Sequence, residues 1–176
     1  SLNISPEMKL GKLDGWDAEE FVKNTPKTYS FVKNGRIRSK LPDSFNNEEL
    51  KEIFNNNNIS VSSNGVLYKN NKKGLIPSIL SKWFDERTEY KRLAKKYGYF
   101  NRRQHVQKIL LNSMYGVLGS PTFRFYDIDN AEATTTTGVS LIKYTQKMAN
   151  YYYNKKLNDN KDYVIASDTD SIYVNM

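Results

Sequence analysis

YVIASDTDSIYV, residues 163–174, reads as two short strands, Tyr163–Ala166 and Ile172–Val174, joined through Ser167, Asp168, Thr169, Asp170 and Ser171. Apolar and aromatic runs bounded by Asp and Ser are the pattern of a hairpin. Two carboxylates therefore stand at its tip. Side chains two apart in an extended chain share a face, so Asp168 and Asp170 are placed to offer oxygens to one hard cation such as Mg²⁺. Asp and Ser are also ordinary turn formers, and Asp-x-Asp alone is a weak signal. The flanking strands are apolar enough to predict burial, with the acidic tip held against a core.

Upstream, polar residues 158–161 separate this hairpin from a long helical stretch that Asn130 is placed to cap and that runs through Tyr153 to about Leu157. Its tyrosines, Tyr144, Tyr151, Tyr152 and Tyr153, are read as core and surface filler. Phe123, Phe125 and Tyr126 predict a short extended segment. Before them lie two helical stretches, 78–97 with Pro77 in the first turn and about 101–118, with Gly98 as the stop between them. So short a connection predicts an antiparallel pair.

On the first of these helices Arg87 and Lys91 are four apart and share a face; on the second Lys108 and Asn112 repeat that spacing and Tyr115 extends the stripe by three. Three cations, an amide and a ring suit a triphosphate, since Arg forks onto two oxygens, Lys is a point charge and a ring lies against a base or sugar. Helix surfaces carry Lys and Arg in any case. The opposite face, Val106, Ile109, Leu110, Val117 and Leu118, is predicted to be core.

The first third reads as irregular. A turn at Asp14, Gly15 and Trp16, a short helix over 17–22, a strand over 28–32, a helix over 48–54, an Asn-rich loop over 55–58, and a hairpin of 59–62 with 66–68 about Asn64-Gly65 are the elements its pattern predicts. The 176 residues hold enough apolar side chains, 38%, for one domain or two small subdomains. No apolar run reaches the roughly 20 residues a bilayer span requires, and no signal pattern opens the chain, so no membrane partner is expected and the reading is of a soluble, unsecreted chain. Without cysteine and with His105 as its one histidine, the chain has no disulfide framework, zinc knuckle or thiol nucleophile; oxygen ligands remain for metal chemistry. The net charge of +8 points towards a polyanion, and its basic residues concentrate between Lys82 and Lys108. Both ends look cut from something longer.

Two of these features resemble family B DNA polymerases. Lys108-Ile-Leu-Leu-Asn112-Ser-Met-Tyr115-Gly116 fits the pattern K-x-x-x-N-S-x-Y-G of that family's motif B, and Asp-Thr-Asp-Ser followed by Ile-Tyr-Val resembles its motif C, in the expected order. The wording around them, Asn3-Ile4-Ser5-Pro6-Glu7, Asn64-Gly65 leading into Gly74 and Pro77, and Phe123, Arg124, Tyr126, Asp127 with Asn130-Ala131, is similar to the T-even-phage branch. Residues from about Lys9 to Asn58 match loosely, and the fingers stretch is shorter than in the phage enzymes.

The resemblance implies an α+β fold: a partial polymerase palm of antiparallel strands with packed helices, plus an antiparallel helical-hairpin fingers subdomain. It divides the chain into a palm-proximal segment with an irregular insertion and hairpin (1–75), the fingers hairpin with motif B (76–118), and a palm helix with the motif C hairpin (119–176). Residue by residue, it puts Arg87, Lys91, Lys108 and Asn112 on the dNTP phosphates, Tyr115 and Gly116 beneath the nascent base pair, and Asp170 and Asp168 on metal, with Lys108, Asp168 and Asp170 as catalytic groups.

It further implies template-directed addition of dNTPs to a primer 3′-hydroxyl with two Mg²⁺ ions in the complete enzyme, primer–template DNA as partner, a sliding clamp engaged through parent regions outside these residues, and a cytoplasmic setting, that of the host if viral. The family also needs a motif A aspartate, in a run expected to precede Ser1; Asp14 and Asp17 lie in a different context, so the chain alone is expected to bind Mg²⁺ weakly and to be inactive. Without the motif A strand, the sheet carrying motif C is expected to have an open edge. The reading requires the acidic turn to face the cationic helices across a nucleotide-sized gap. The alternative is a non-catalytic nucleic-acid-binding module.

Overall fold

The computed structural model describes residues 2–35, 40–56 and 58–175, which divide into two compact units, 1–134 and 135–176. The first is built on a five-stranded antiparallel sheet of order β3-β2-β1-β5-β4. Its strands are β1 (Lys9–Asp14), β2 (Thr28–Lys33), β3 (Ser44–Asn46), β4 (Ile59–Val61) and β5 (Val66–Lys69), with helices α1 (Ala18–Val22) and α2 (Asn47–Asn55) between them.

The expectation of an irregular first third is thus corrected. β1 escapes a period-two reading because it is bulged: its register moves from Lys9 opposite Tyr68 to Gly11 opposite Leu67. The extra residue lets Leu10 and Leu13, three apart, enter one core while Lys9 and Lys12 turn to the other face. Gly11 is required here, since a Cβ would lie 2.6 Å from the Phe31 ring.

One sheet face buries Leu10, Leu13, Tyr29, Phe31, Phe45 and Leu67, closed by Leu50 of α2. That helix starts on a capping box: Asn46 accepts from the Glu49 N–H at 3.0 Å and the Glu49 carboxylate accepts from the Asn46 N–H at 2.8 Å. The hairpin turn has Gly65 at φ +85°, the conformation that the Asn-Gly pair predicts.

The other face buries Met8, Val66 and Tyr68 against Ala133 of α5 (Ile128–Leu157). Lys9 Nζ donates to Asp127 Oδ1 and Asp129 Oδ2, both at 2.8 Å, and Lys12 Nζ donates to Asp129 Oδ1 at 2.8 Å. Asp127, not Asn130, caps α5. Its side chain accepts from the Asn130 N–H at 3.3 Å and its carbonyl from the Ala131 N–H at 3.2 Å. Asn130 is instead inside the helix and buried, with Oδ1 accepting from the Tyr68 hydroxyl at 2.7 Å. Burial pushes that hydroxyl's pKa up, and the charges of Asp127 and Asp129 add to the effect.

Helices α3 (Leu75–Ala94) and α4 (Tyr99–Leu118) form the expected pair. Ile76 meets Leu118 at one end, and Tyr90 stacks on Phe100, centroids 5.7 Å apart, at the other, so the helices run antiparallel. The predicted extended segment at Phe123–Tyr126 is a succession of turns: Phe123 N–H donates to Ser120 O at 3.0 Å and Tyr126 N–H to Phe123 O at 2.9 Å. Phe123 packs beside Ile76, Leu118 and Ala131, a tertiary contact that overrides the β preference of aromatics.

The second unit holds the rest of α5 and a two-stranded sheet, β6 (Val164–Asp168) with β7 (Ser171–Val174). α5 ends at Asn158, φ +53°, a left-handed stop that Asn tolerates. Two amides then clip the returning chain. Asn150 accepts from the Tyr163 N–H and donates to Asp162 Oδ1, both at 2.8 Å; Asn154 accepts from the Lys161 N–H at 2.8 Å and donates to its carbonyl at 3.0 Å. Tyr163 is buried and donates its hydroxyl to Asp159 at 2.6 Å; that bond is the main reason its pKa is pushed up to about 12.

Beyond Tyr163 the predicted burial is met only in part: Ile165 is 68% and Tyr173 53% exposed, while Val164, Ile172 and Val174 are half-buried. The physical reason is that a two-stranded ribbon is too small to cover both of its faces. Of the four helix tyrosines, only Tyr153 is partly covered, against Tyr163; Tyr144, Tyr151 and Tyr152 are exposed and do not form core.

Candidate functional site

The helical pair is set on its base by the N-terminal segment. Gly74, the cap residue of α3, has no side chain to satisfy the free N–H groups of the first turn. Asn3 Oδ1 accepts from Gly74 N at 2.7 Å, Glu7 Oε1 from Leu75 N at 2.5 Å and Ser5 Oγ from Ile76 N at 3.3 Å. Three side chains about 70 positions away in sequence therefore do the work of a helix cap. Local patterning could not reveal these positioning residues, because capping signals are sought beside the helix they cap.

The seam of the pair carries Trp83, Glu86, Arg87 and Tyr90 from α3, all half-buried, and Phe100, Gln104, Gln107, Leu111, Met114 and Leu118 from α4. Gln107 Nε2 donates to Glu86 Oε2 at 2.5 Å across it. Arg87 differs from Lys91 in this respect: Arg87 is half-buried with Nε lacking any partner among the described residues, whereas Lys91 is exposed.

On α4, Lys108, Asn112, Tyr115 and Gly116 all lie on the exposed side. Among the described residues, Arg87, Lys91 and Lys108 have no carboxylate partner. Tyr115 lines a cleft of about 460 Å³ with Leu111, Met114, Pro77, Asn3 and Ile4. At Gly116 an added Cβ would meet nothing within 4 Å, so packing does not require the glycine, although glycine weakens a helix interior by roughly 1 kcal/mol relative to alanine. The residues predicted to form the opposite, core face are also in the open: Val106, Ile109 and Leu110 are exposed and only Leu118 is buried. The seam follows the 4-3 spacing from Phe100 to Leu118, which leaves those residues outside it.

In the second unit, Asp168 ends β6 opposite Ser171 and Asp170 sits in the connecting turn. Thr169 between them has φ +49°. The extended alternation that predicted a shared face thus stops at Thr169. A β-branched residue in the left-handed region is strained by about 1–3 kcal/mol, and the turn is held by Thr169 Oγ1 donating to Asp168 Oδ1 at 2.9 Å and Ser171 Oγ to Asp168 O at 3.1 Å. Neither carboxylate has a Lys or Arg partner among the described residues. Hard oxygen donors in the open suit Mg²⁺, which characteristically takes one or two carboxylates and completes its shell with water and substrate phosphates. Among the described residues no group of three or more His, Cys, Asp or Glu side chains is gathered to hold a metal, so the rest of such a shell has to come from elsewhere.

Residues 22–176 match the family described as DNA polymerase family B. The chain is 34% identical to the DNA-directed DNA polymerase of Escherichia phage RB69 over an aligned length of 205 residues, 98% of this chain and 23% of the phage protein. It is 45% identical to the DNA-directed DNA polymerase of Enterobacteria phage T4 over 75 residues, 42% of this chain and 8% of that protein. The DNA polymerase of Fowlpox virus is 31% identical over 91 residues, 48% of this chain and 9% of that protein. A solved family B polymerase from Pyrobaculum calidifontis is similar over 67% of this chain and 16% of its own, with 28% identity and a TM-score of 0.49. The chain thus spans less than a quarter of the length of these relatives. A family match over most of its length, with phage polymerases among its relatives, shows that this chain belongs to DNA polymerase family B.

Proposed function

We propose that the chain supplies the fingers and part of the palm of a polymerase that adds dNTPs to a primer 3′-hydroxyl under the direction of a template strand. The observation that carries this reading is the coexistence, within one family B match over 22–176, of an exposed Lys108-Asn112-Tyr115-Gly116 stripe and an Asp168-Thr169-Asp170 turn whose carboxylates are not neutralised by any described cation. Arg87, Lys91 and Lys108 bind the triphosphate, with Asn112 donating from its amide; Arg87 brings a guanidinium already held on one side by the helix seam. Tyr115 lies under the nascent base pair, and the open space at Gly116 admits that pair.

Asp170 and Asp168 hold Mg²⁺ in this reading. Two such ions, when bound, activate the primer hydroxyl and stabilise the leaving pyrophosphate. The fixed cations of α3 and α4 neutralise charge that grows on the phosphates as the bond to the leaving group lengthens. Primer–template DNA and dNTPs are the partners; a sliding clamp and a cytoplasmic setting belong to the same reading of the parent enzyme. Because the family's further aspartate is not among these residues, the chain by itself is inactive.

The test restores the preceding segment of the parent enzyme and measures primer extension for wild type and Asp170→Ala. Near-complete loss of extension with DNA affinity retained supports the reading. Unchanged extension in Asp170→Ala, or robust extension by the 176-residue chain alone, overturns it. A mere binding module gives no extension in either form.

A further inference from the structure

Between Arg87 and Lys108 the chain carries eight basic residues against one acidic residue, Glu89. The proposed nucleotide site uses three of them, Arg87, Lys91 and Lys108, and Arg92 is paired with Glu89 at 2.6 Å. Lys95, Lys96, Arg102 and Arg103 remain, all exposed and clustered around the turn that joins α3 to α4. Among the described residues none has a carboxylate partner, in contrast to Lys9, Lys12, Lys27 and Lys33 on and beside the five-stranded sheet, each of which is paired.

Helix stability accounts for only two of the four. Lys95 and Lys96 lie at the C-terminus of α3, where cations complement the helix dipole, but Arg102 and Arg103 are the fourth and fifth residues of α4, close to the end that favours acids, and the first turn of α4 has no acidic residue to offset them. Aromatic rings are interleaved with these charges. Tyr97 and Tyr99 are 50% and 62% exposed, each touching Phe100 with part of its ring and leaving the rest in solvent. Arg103 lies 5.0 Å from the Tyr99 centroid and donates from Nε to its hydroxyl at 3.0 Å, so that ring is held in orientation while most of the residue stays exposed. The turn itself is tight: Tyr97 N–H donates to Leu93 O at 2.8 Å and Phe100 N–H to Tyr97 O at 3.1 Å, with Phe100 anchored on Tyr90.

We infer that this tip, Lys95, Lys96, Tyr97, Tyr99, Arg102 and Arg103, is a second nucleic-acid site, one that takes single-stranded DNA. Clustered unpaired cations gain affinity by releasing counterions from phosphates. Exposed rings add stacking that only unpaired bases can use, because a duplex hides its base faces. The inference goes beyond the polymerase reading and does not rest on it: the tip shares no residue with the proposed nucleotide or metal sites.

The experiment uses the 176-residue chain and a fluorescein-labelled 20-mer of dT, read by anisotropy at about 50 and 200 mM salt. Wild type is expected to bind the single strand more tightly than a duplex of equal length, with affinity falling steeply with salt. The triple variant Lys95→Gln/Lys96→Gln/Arg102→Gln should weaken binding about tenfold or more and flatten the salt dependence by roughly three charges. Tyr97→Ala/Tyr99→Ala should weaken single-strand binding by about fivefold or more and leave duplex binding unchanged.

A control with the same loss of charge on α5, Lys143→Gln/Lys147→Gln/Lys155→Gln, should change little, and circular dichroism checks that each variant keeps its helices. Equal losses in the tip and α5 variants would overturn the inference in favour of net charge alone. So would equal binding of an abasic 20-mer, or affinity unmoved by both tip variants. Each of these results leaves the Asp170 extension test untouched, so the two readings fail separately.

Discussion

Lys9, Asp127, Asp129 and Lys12 on the five-stranded sheet, and Asp168 with Asp170 on the two-stranded one, place charge on antiparallel strands in opposite circumstances. In the first unit every carboxylate and ammonium of the cluster is matched at 2.8 Å, with Lys9 and Asp127 nearly covered. In the second both aspartates are exposed; the Asp168 carboxylate accepts from the Thr169 hydroxyl and the Asp168 carbonyl from the Ser171 hydroxyl. Charges matched within the fold contribute to structure and leave nothing for a ligand. Charges left unmatched on a strained turn contribute little to structure and stay available. The matched cluster on the five-stranded sheet should therefore respond to mutation mainly in stability, and the acidic turn mainly in activity.

The sharpest break between the two would come from Asp170→Ala, which should lower primer extension by the restored enzyme on the order of 10³-fold while leaving the melting temperature of the chain where it was. A comparable loss of stability would show that the turn is structural. Next in size, Phe45→Ala in the sheet core should cost roughly 3–5 kcal/mol in urea unfolding, whereas Ile165→Ala on the open hairpin should stay within about 0.5 kcal/mol; equal costs would mean that the hairpin is covered in solution. Tyr68→Phe removes the hydrogen bond that Tyr68 donates to Asn130 Oδ1 inside the first unit and should cost about 1–3 kcal/mol, detectable as faster amide exchange at the start of α5.

Gly116→Ala sharpens the contrast in the opposite direction, since helix propensity should stabilise the chain by up to about 1 kcal/mol while extension falls, and a rise in both would remove the reason given for the glycine. The smallest effect is on pH. Burial alone would push the Asp129 carboxyl up, but hydrogen bonds from Lys12 and Lys9 and their charges more than offset it, so its pKa lies below the ordinary 3.8. Its contribution is therefore complete above that value and is lost as pH falls through the folded-state value. Lys12, raised above 10.5 chiefly by its hydrogen bond to Asp129, adds a contribution that is lost as pH rises through its folded-state value. Asp129→Asn should flatten the acid limb of a stability–pH curve measured on the chain, and an unchanged limb would assign it to other groups.

Much of this molecule was legible in its residues. Asn64-Gly65 specified a hairpin turn, residues 48–54 a helix, and the spacing from Lys108 to Tyr115 an exposed helix stripe, because each depends on backbone preferences and side-chain periods that act over a few residues. The order of motif B and motif C carried the family, and the matched relatives agree. What the residues did not disclose was non-local. The bulge at Leu10 hid β1, Tyr68 drew Asn130 away from the capping role its type suggests, and the first turn of α3 was completed by Asn3, Ser5 and Glu7.

The sequence by itself determined the helical pair, the Asn64-Gly65 hairpin, the family and the residue types of the candidate site, since these follow from local chemistry and pattern. Only the tertiary structure decided which face of each element is covered: Arg87 half-buried in a seam, Val106 and Ile109 in the open, and Ile165 and Tyr173 exposed on a hairpin apolar enough for a core. Burial is a property of what else packs nearby, and no window of sequence contains its own neighbours in space.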